Sequence, residues 1–287
     1  MEDLPYLFCD AVVGTVRYLY RLSTEIKLFE NSNFSAWNSA IEDHNSKRQR
    51  LGVWISFVDG NWSYLFYKQD AKQSESEFKT VQQLRRKYLQ ITSVDYIHDR
   101  LRYNSSFEEI KEITKFISPF VNLASLRFDN NQIEERDLSS LLSHFRNAQF
   151  YQIHVIHYRK CYEDLLLTQM RSDFLEDVDI RGNHWPKDVL LEIKDFMLKK
   201  PFEIAYFVKS NFRFEKSFFE YLFELPKPKK SILFNGKFSF KFKELEEFKR
   251  EHQTPSARES LKWKREDGVW ISVRNWNGFL RIELYQL

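Results

Sequence analysis

FLEDVDIRGN, residues Phe174 to Asn183, carries the pattern Leu175-x-x-Val178-x-Ile180-x-x-Asn183. Val178 and Ile180 lie two apart, so they share one face of a strand, with Asp177 and Asp179 on the other. The Asn that follows suits the turn leaving the strand, because its short amide bonds nearby backbone. Further back, Leu123-x-x-Leu126-x-Phe128-x-x-Asn131 has the same form. A unit of one strand and one helix cannot bury its apolar face alone, so the pattern implies neighbours stacked against it.

Looser copies run on both sides. They are Ile91-x-x-Val94-x-Tyr96-x-x-Asp99, Phe150-x-x-Ile153-x-Val155-x-x-Tyr158, Tyr206-x-Val208-x-x-Asn211 and Ile232-x-Phe234. Their central positions, 94, 126, 153, 178, 206 and 232, are spaced near the roughly 20–29 residues of leucine-rich repeats, with the first interval longer. Helical patterns fill the intervals: Leu138, Leu141, Leu142 and Phe145; then Leu190, Leu191, Ile193, Phe196, Met197 and Leu198; then Phe218, Phe219, Leu222 and Phe223. The reading is an α/β chain built as an irregular leucine-rich-repeat-like solenoid. An ordinary α/β sandwich is the alternative, and both place parallel strands beside helices.

The chain has 287 residues, 43% of them hydrophobic, with 27 Phe. That composition argues for a folded chain rather than a disordered one. Seven Gly leave little material for phosphate loops, and a net charge of +3 demands no polyanionic partner. Cys9 and Cys161 are too few for a disulfide framework. There is no run of about 18 apolar residues and no signal peptide, so a cytoplasmic or nuclear protein is expected.

Residues 1–50 read as a separate helical module. Leu4 and Pro5 open an apolar stripe through Phe8, Val12 and Val16, and Trp37 anchors a second short helix that ends in the polar stretch 44–50. Some 45 residues make a poor independent core, so the module gains stability by docking. A Leu-Pro, an apolar helix and a Trp some thirty residues on resemble an F-box, the module that docks on the Skp-type adaptor of cullin–RING ubiquitin ligases. The opening LPYLFCDAVVGTV and the C-terminal KREDGVWISV are similar to divergent nematode F-box proteins. The resemblance implies adaptor contact through Leu4, Pro5, Phe8, Val12, Val16 and Trp37. It also implies a linked cullin, a protein substrate and no catalysis in this chain. The alternative reading of the module is a cap on the end of the repeat array.

Residues 51–287 form the second expected domain: a hairpin at 51–68 turning at Asp59 and Gly60, repeats over about 88–250, and a closing hairpin at 262–287. Residues 69–80 and 252–262 read as loops. The stretch 226–243 is rich in Lys and Phe, the ingredients of single-strand nucleic-acid binding. A solvated face with alternating core contacts explains the same pattern, and nucleic acid is not the expected partner.

The solvent side of the strands is the expected binding surface for a protein. Its candidate residues are Arg127, Asp129, Gln152, His154, Asp177, Asp179, Arg181, Phe207 and Lys209. No metal or cofactor is expected: His154 and His157 face opposite ways on a strand, and the familiar nucleotide, esterase and zincin signatures do not occur.

Overall fold

The structure, a computed structural model, describes residues 35–68, 75–199, 203–207, 210–225, 231–246, 253–254, 260–276 and 279–286. Leu4, Pro5, Phe8, Val12, Val16 and Lys209 lie outside them. The described residues form two compact units. One takes in the chain up to Ser125 together with Ser143–Phe150; the other takes in Leu126–Leu142 and the chain from Tyr151 onward.

In the first unit, helix α1 (Ser35–Lys47) leads into the hairpin of β1 (Gln49–Val58) and β2 (Asn61–Lys68). Asp59 and Gly60 both have positive φ, 52° and 81°, which matches a two-residue turn to the twist of the strands. The hairpin closes at Val58 opposite Asn61, as the Asp-Gly pair predicts. Strand β4 (Leu89–Ile97) lies parallel to β1, and the short strands β3 (Glu75–Ser76) and β5 (Tyr103–Ser105) pair with β2. Helix α2 (Phe78–Gln82) brings Phe78 to within 6.3 Å of the Phe66 ring. Helix α3 (Phe107–Ile117) starts at Ser106, whose hydroxyl accepts from the Glu109 N–H, and buries Ile110, Ile113 and Ile117 at three-to-four spacing.

Strands β6 (Val121–Phe128) and β7 (Gln149–Val155) contribute residues to both units. In the second unit, β7, β8 (Asp177–Ile180), β9 (Ile204–Phe207) and β11 (Ile232–Phe238) run parallel in chain order, and β10 (Arg213–Phe214) pairs with β11. The helices of this unit are α4 (Glu135–Leu142), α5 (Lys160–Met170), α6 (Lys187–Lys199), α7 (Lys216–Glu224) and α8 (Lys243–Glu246). The final hairpin, β14 (Trp270–Trp276) and β15 (Phe279–Tyr285), adds β15 antiparallel to β11, and β13 (Ser260–Lys264) and β12 (Gln253–Thr254) extend it outward. The chain is thus a mixed α/β protein with parallel strands, helices between them and antiparallel hairpins.

The register aligns one apolar residue per strand across this unit: Ile153, Val178, Ala205, Phe234, Ile282, Val273 and Leu261. None is more than 6% exposed. Burying each large member contributes about 1.5–3 kcal/mol. The helices cover this face. Phe218 of α7 meets Phe234 at 5.2 Å, and Phe223 meets Trp263 at 6.1 Å.

Strands occur at all six expected positions, with corrections in detail. On β9 the expected faces are exchanged: Ala205 and Phe207 point into the core and Tyr206 points out. IAYFV is apolar throughout, so alternation cannot assign its faces; pairing of Ala205 with both Val178 and Phe234 does. Leu191, placed on the apolar stripe of α6, is 58% exposed, because the buried stripe follows Val189, Ile193 and Met197. The expected loop at 69–80 includes β3 and the start of α2, and the loop at 252–262 includes β12 and part of β13. Helix α1 ends at Lys47, inside the expected polar stretch, although His44 of that stretch is fully buried.

Candidate functional site

Because strand side chains alternate, the rows between the core rows face away from the helices. The register gives two of them. One runs His154, Asp179, Tyr206, Asn235, Arg281 and Arg274; the other runs Gln152, Asp177, Ile204, Leu233, Glu283, Ser272 and Lys262. Most of these side chains are half-buried, Arg274 is exposed, and Ser272 is buried.

Seven of the nine expected candidates, Arg127, Asp129, Gln152, His154, Asp177, Asp179 and Arg181, lie at the β6–β8 end of this face. Asp179 is the hub. The Arg181 guanidinium grips its carboxylate with Nε at 3.0 and 3.2 Å and Nη2 at 2.7 Å. From the neighbouring strand, His154 Nε2 lies 3.2 Å from Asp179 Oδ2 without hydrogen-bond alignment. Arg127 donates to Asp129 at 2.7 Å. Bidentate Arg–carboxylate geometry fixes orientation as well as charge. These groups hold each other in place, and no arrangement of nucleophile and base emerges from them.

Burial holds the His154 pKa below its ordinary value near 6.5, and the charges of Arg181 and Arg127 push the same way against Asp179 and Asp129. His154 is therefore neutral at neutral pH, and its contact with Asp179 is a dipole contact. A base whose folded-state pKa is depressed adds nothing above its unfolded value. As pH falls through that value, the unfolded chain takes up the proton first and stability declines. Between about pH 7.5 and about pH 5.5, the loss of stability should be smaller in His154→Gln than in the parent chain. Urea midpoints at the two pH values measure it; equal losses in both would remove His154 as a source.

Phe207 does not belong to the surface, being fully buried against Phe212 at 4.2 Å and Phe214 at 6.1 Å. Trp37 sits half-buried on α1 in the first unit. Residues absent from the expected set fill the middle and far end of the face: Ile204, Tyr206, Leu233, Arg274, Arg281 and Glu283. The alternation of FLRIELY signals an outward Arg281 and Glu283, but β11, which borders them on the side away from β14, is set by long-range pairing.

Within the second unit, side chains tie together the loops at the C-terminal ends of the parallel strands. Arg159 donates to the carbonyls of Asn131 and Ile133. Asn211 accepts from the Trp185 N–H at 3.3 Å and donates to its carbonyl at 2.8 Å. Tyr158 and Lys160 both donate to the buried Glu163 carboxylate. No family model, curated protein or solved structure matches.

Other chemistry is sparse among the described residues. No group of three His, Cys, Asp or Glu side chains is placed to hold a metal. Burial, and then the Glu135 charge, push the Cys161 thiol up to about 12, so it stays protonated at neutral pH. In the first unit a cleft of about 410 Å³ is lined by Ser118, Asn122, His144, Asn147 and Gln149. Burial and Lys115 lower the His144 pKa, so this lining is uncharged. No described helix is long and apolar enough to cross a membrane.

Proposed function

We propose that this chain is a non-catalytic recognition subunit whose outward sheet face binds a protein segment. The observation that carries the reading is the composition of that face. Apolar Ile204, Leu233 and Tyr206 occupy its centre, and ion-paired groups flank them on both sides. An apolar centre with a polar rim is the ordinary anatomy of a protein interface. Salt-bridged rim residues that are already oriented lose little freedom on binding.

The finer reading takes up the F-box resemblance of residues 1–50. The module docks on a Skp-type adaptor through Leu4, Pro5, Phe8, Val12, Val16 and Trp37, and the adaptor links the chain to a cullin. The repeat-like body, read as a leucine-rich-repeat-like solenoid, holds the substrate. The chain works in the cytoplasm or nucleus and supplies proximity, while chemistry resides in partner subunits.

Two double variants test the halves separately. Ile204→Asp with Leu233→Asp should abolish capture of the client and leave adaptor co-purification intact, since each places a charge in the apolar centre. Pro5→Ala with Phe8→Ala should do the reverse. Unchanged adaptor recovery in the second variant would reduce the proposal to a binding scaffold without ligase recruitment. Unchanged client capture in the first would move the binding surface elsewhere.

A further inference from the structure

The far end of the outward face holds an arrangement that folding alone disfavours. Arg274 and Arg281 are direct cross-strand partners on β14 and β15. Like charges in that position repel. One carboxylate serves both: Glu283 accepts from Arg281 at 2.7 Å and lies 4.0 Å from Arg274 Nη2. Both guanidiniums stay open to solvent, with side chains 56% and 42% exposed. Lys262 is on the same face two strands from β15. Among the described residues of β13 to β15, this face therefore carries Lys262, Lys264, Arg274 and Arg281 against one acid, Glu283.

The opposite end has the other bias. Asp129, Asp177 and Asp179 stand against Arg127 and Arg181, with His154 uncharged. Between the ends lie Ile204, Leu233 and Tyr206. With strands roughly 4.8 Å apart, β8 to β14 spans on the order of 20 Å, the reach of about six extended residues. The face is graded from acidic through apolar to basic over the length of a short peptide.

We propose that Arg274 and Arg281 form a carboxylate-recognition pair. It selects an extended peptide segment whose apolar side chains lie on Ile204, Leu233 and Tyr206 and whose acidic end lies on β14 and β15. An incoming carboxylate relieves the repulsion between the guanidiniums and accepts from both, the fork geometry for which arginine is suited. The opposite end, where Asp179 is already paired with Arg181, offers no such surplus of bases, so the segment lies in one direction only. This inference rests on the reading of the face as a protein-binding surface and adds the chemistry and polarity of the ligand.

The test uses the full chain and a fluorescent ten-residue peptide with two lysines at one end, leucine and phenylalanine at alternate central positions and three glutamates at the other. Anisotropy titration should give binding that weakens with salt. Exchanging the glutamates for glutamines should weaken it about tenfold, the worth of a charge-assisted contact. Arg274→Glu with Arg281→Glu should cost the glutamate peptide at least as much, in a variant whose melting curve checks that it is folded. The same variant should gain affinity for a peptide with lysines at that end. A phosphoserine version binding while the glutamate version does not would replace carboxylate by phosphate and overturn the assignment. Equal binding of the glutamate and glutamine peptides would overturn the pair but leave the surface standing. If no peptide binds and Ile204→Asp with Leu233→Asp leaves client capture unchanged, the surface reading itself has failed.

Discussion

Phe234→Ala should lower the stability of the second unit by about 3–5 kcal/mol, the range for removing a buried aromatic from a core that cannot collapse. Phe234 is fully buried in the centre of β11. Its ring meets Phe218 of α7 at 5.2 Å and Phe214 at 6.3 Å, and its backbone pairs with Ala205 on one side and Ile282 on the other. The two backbone neighbours are held by their own ladders, and Ala205 is too short to fill the space. A cavity therefore remains. Thermal unfolding followed by circular dichroism should show the midpoint fall by roughly 10 °C, given about 2–4 °C per kcal/mol for a unit of this size. A fall of only a degree or two would mean that α7 is not packed on β11 as described.

Gly236→Val should be destabilising by about 1–3 kcal/mol through overpacking instead of loss. A Cβ at Gly236 would stand 2.9 Å from Phe214 Cε2 and 3.1 Å from Phe207 Cβ. The Phe214 ring cannot swing away, because Phe207, Phe212, Phe218 and Phe234 surround it at 4.9 to 6.3 Å. The missing side chain at 236 is the space that lets Phe207 point inward. Adding Phe207→Ala to Gly236→Val should therefore recover part of the loss, although Phe207→Ala alone is costly. The coupling appears in a double-mutant cycle of urea midpoints. Strict additivity would show that the two positions do not share that space.

Both variants act on β9 and β11, where local sequence and long-range pairing contribute differently. The alternation of Val178 and Ile180 between acids made β8 and its faces legible, because only one assignment puts both apolar groups inside. Asp59 and Gly60 likewise specified the first hairpin. The spacing of Leu126, Ile153 and Val178 indicated neighbouring strands with helices between. The acidic half of the candidate surface, from Arg127 to Arg181, followed from those same alternations.

IAYFV offers no such alternation, since every member is apolar. Whether Tyr206 or Phe207 faces the core was decided by the row through Val178, Ala205 and Phe234 and by the gap at Gly236. Nor does any local pattern in FLRIELY say that β15 lies against β11. The hairpin with β14 sets Arg281 opposite Arg274, and only the placement against β11 brings that pair beside the apolar centre of the face. Strand identity and most face assignments are local properties of the chain, written in period-two alternation and turn chemistry. Which strands adjoin, and hence which outward residues form one surface, is set by burial shared between segments distant in sequence, and that emerges only when the whole unit packs.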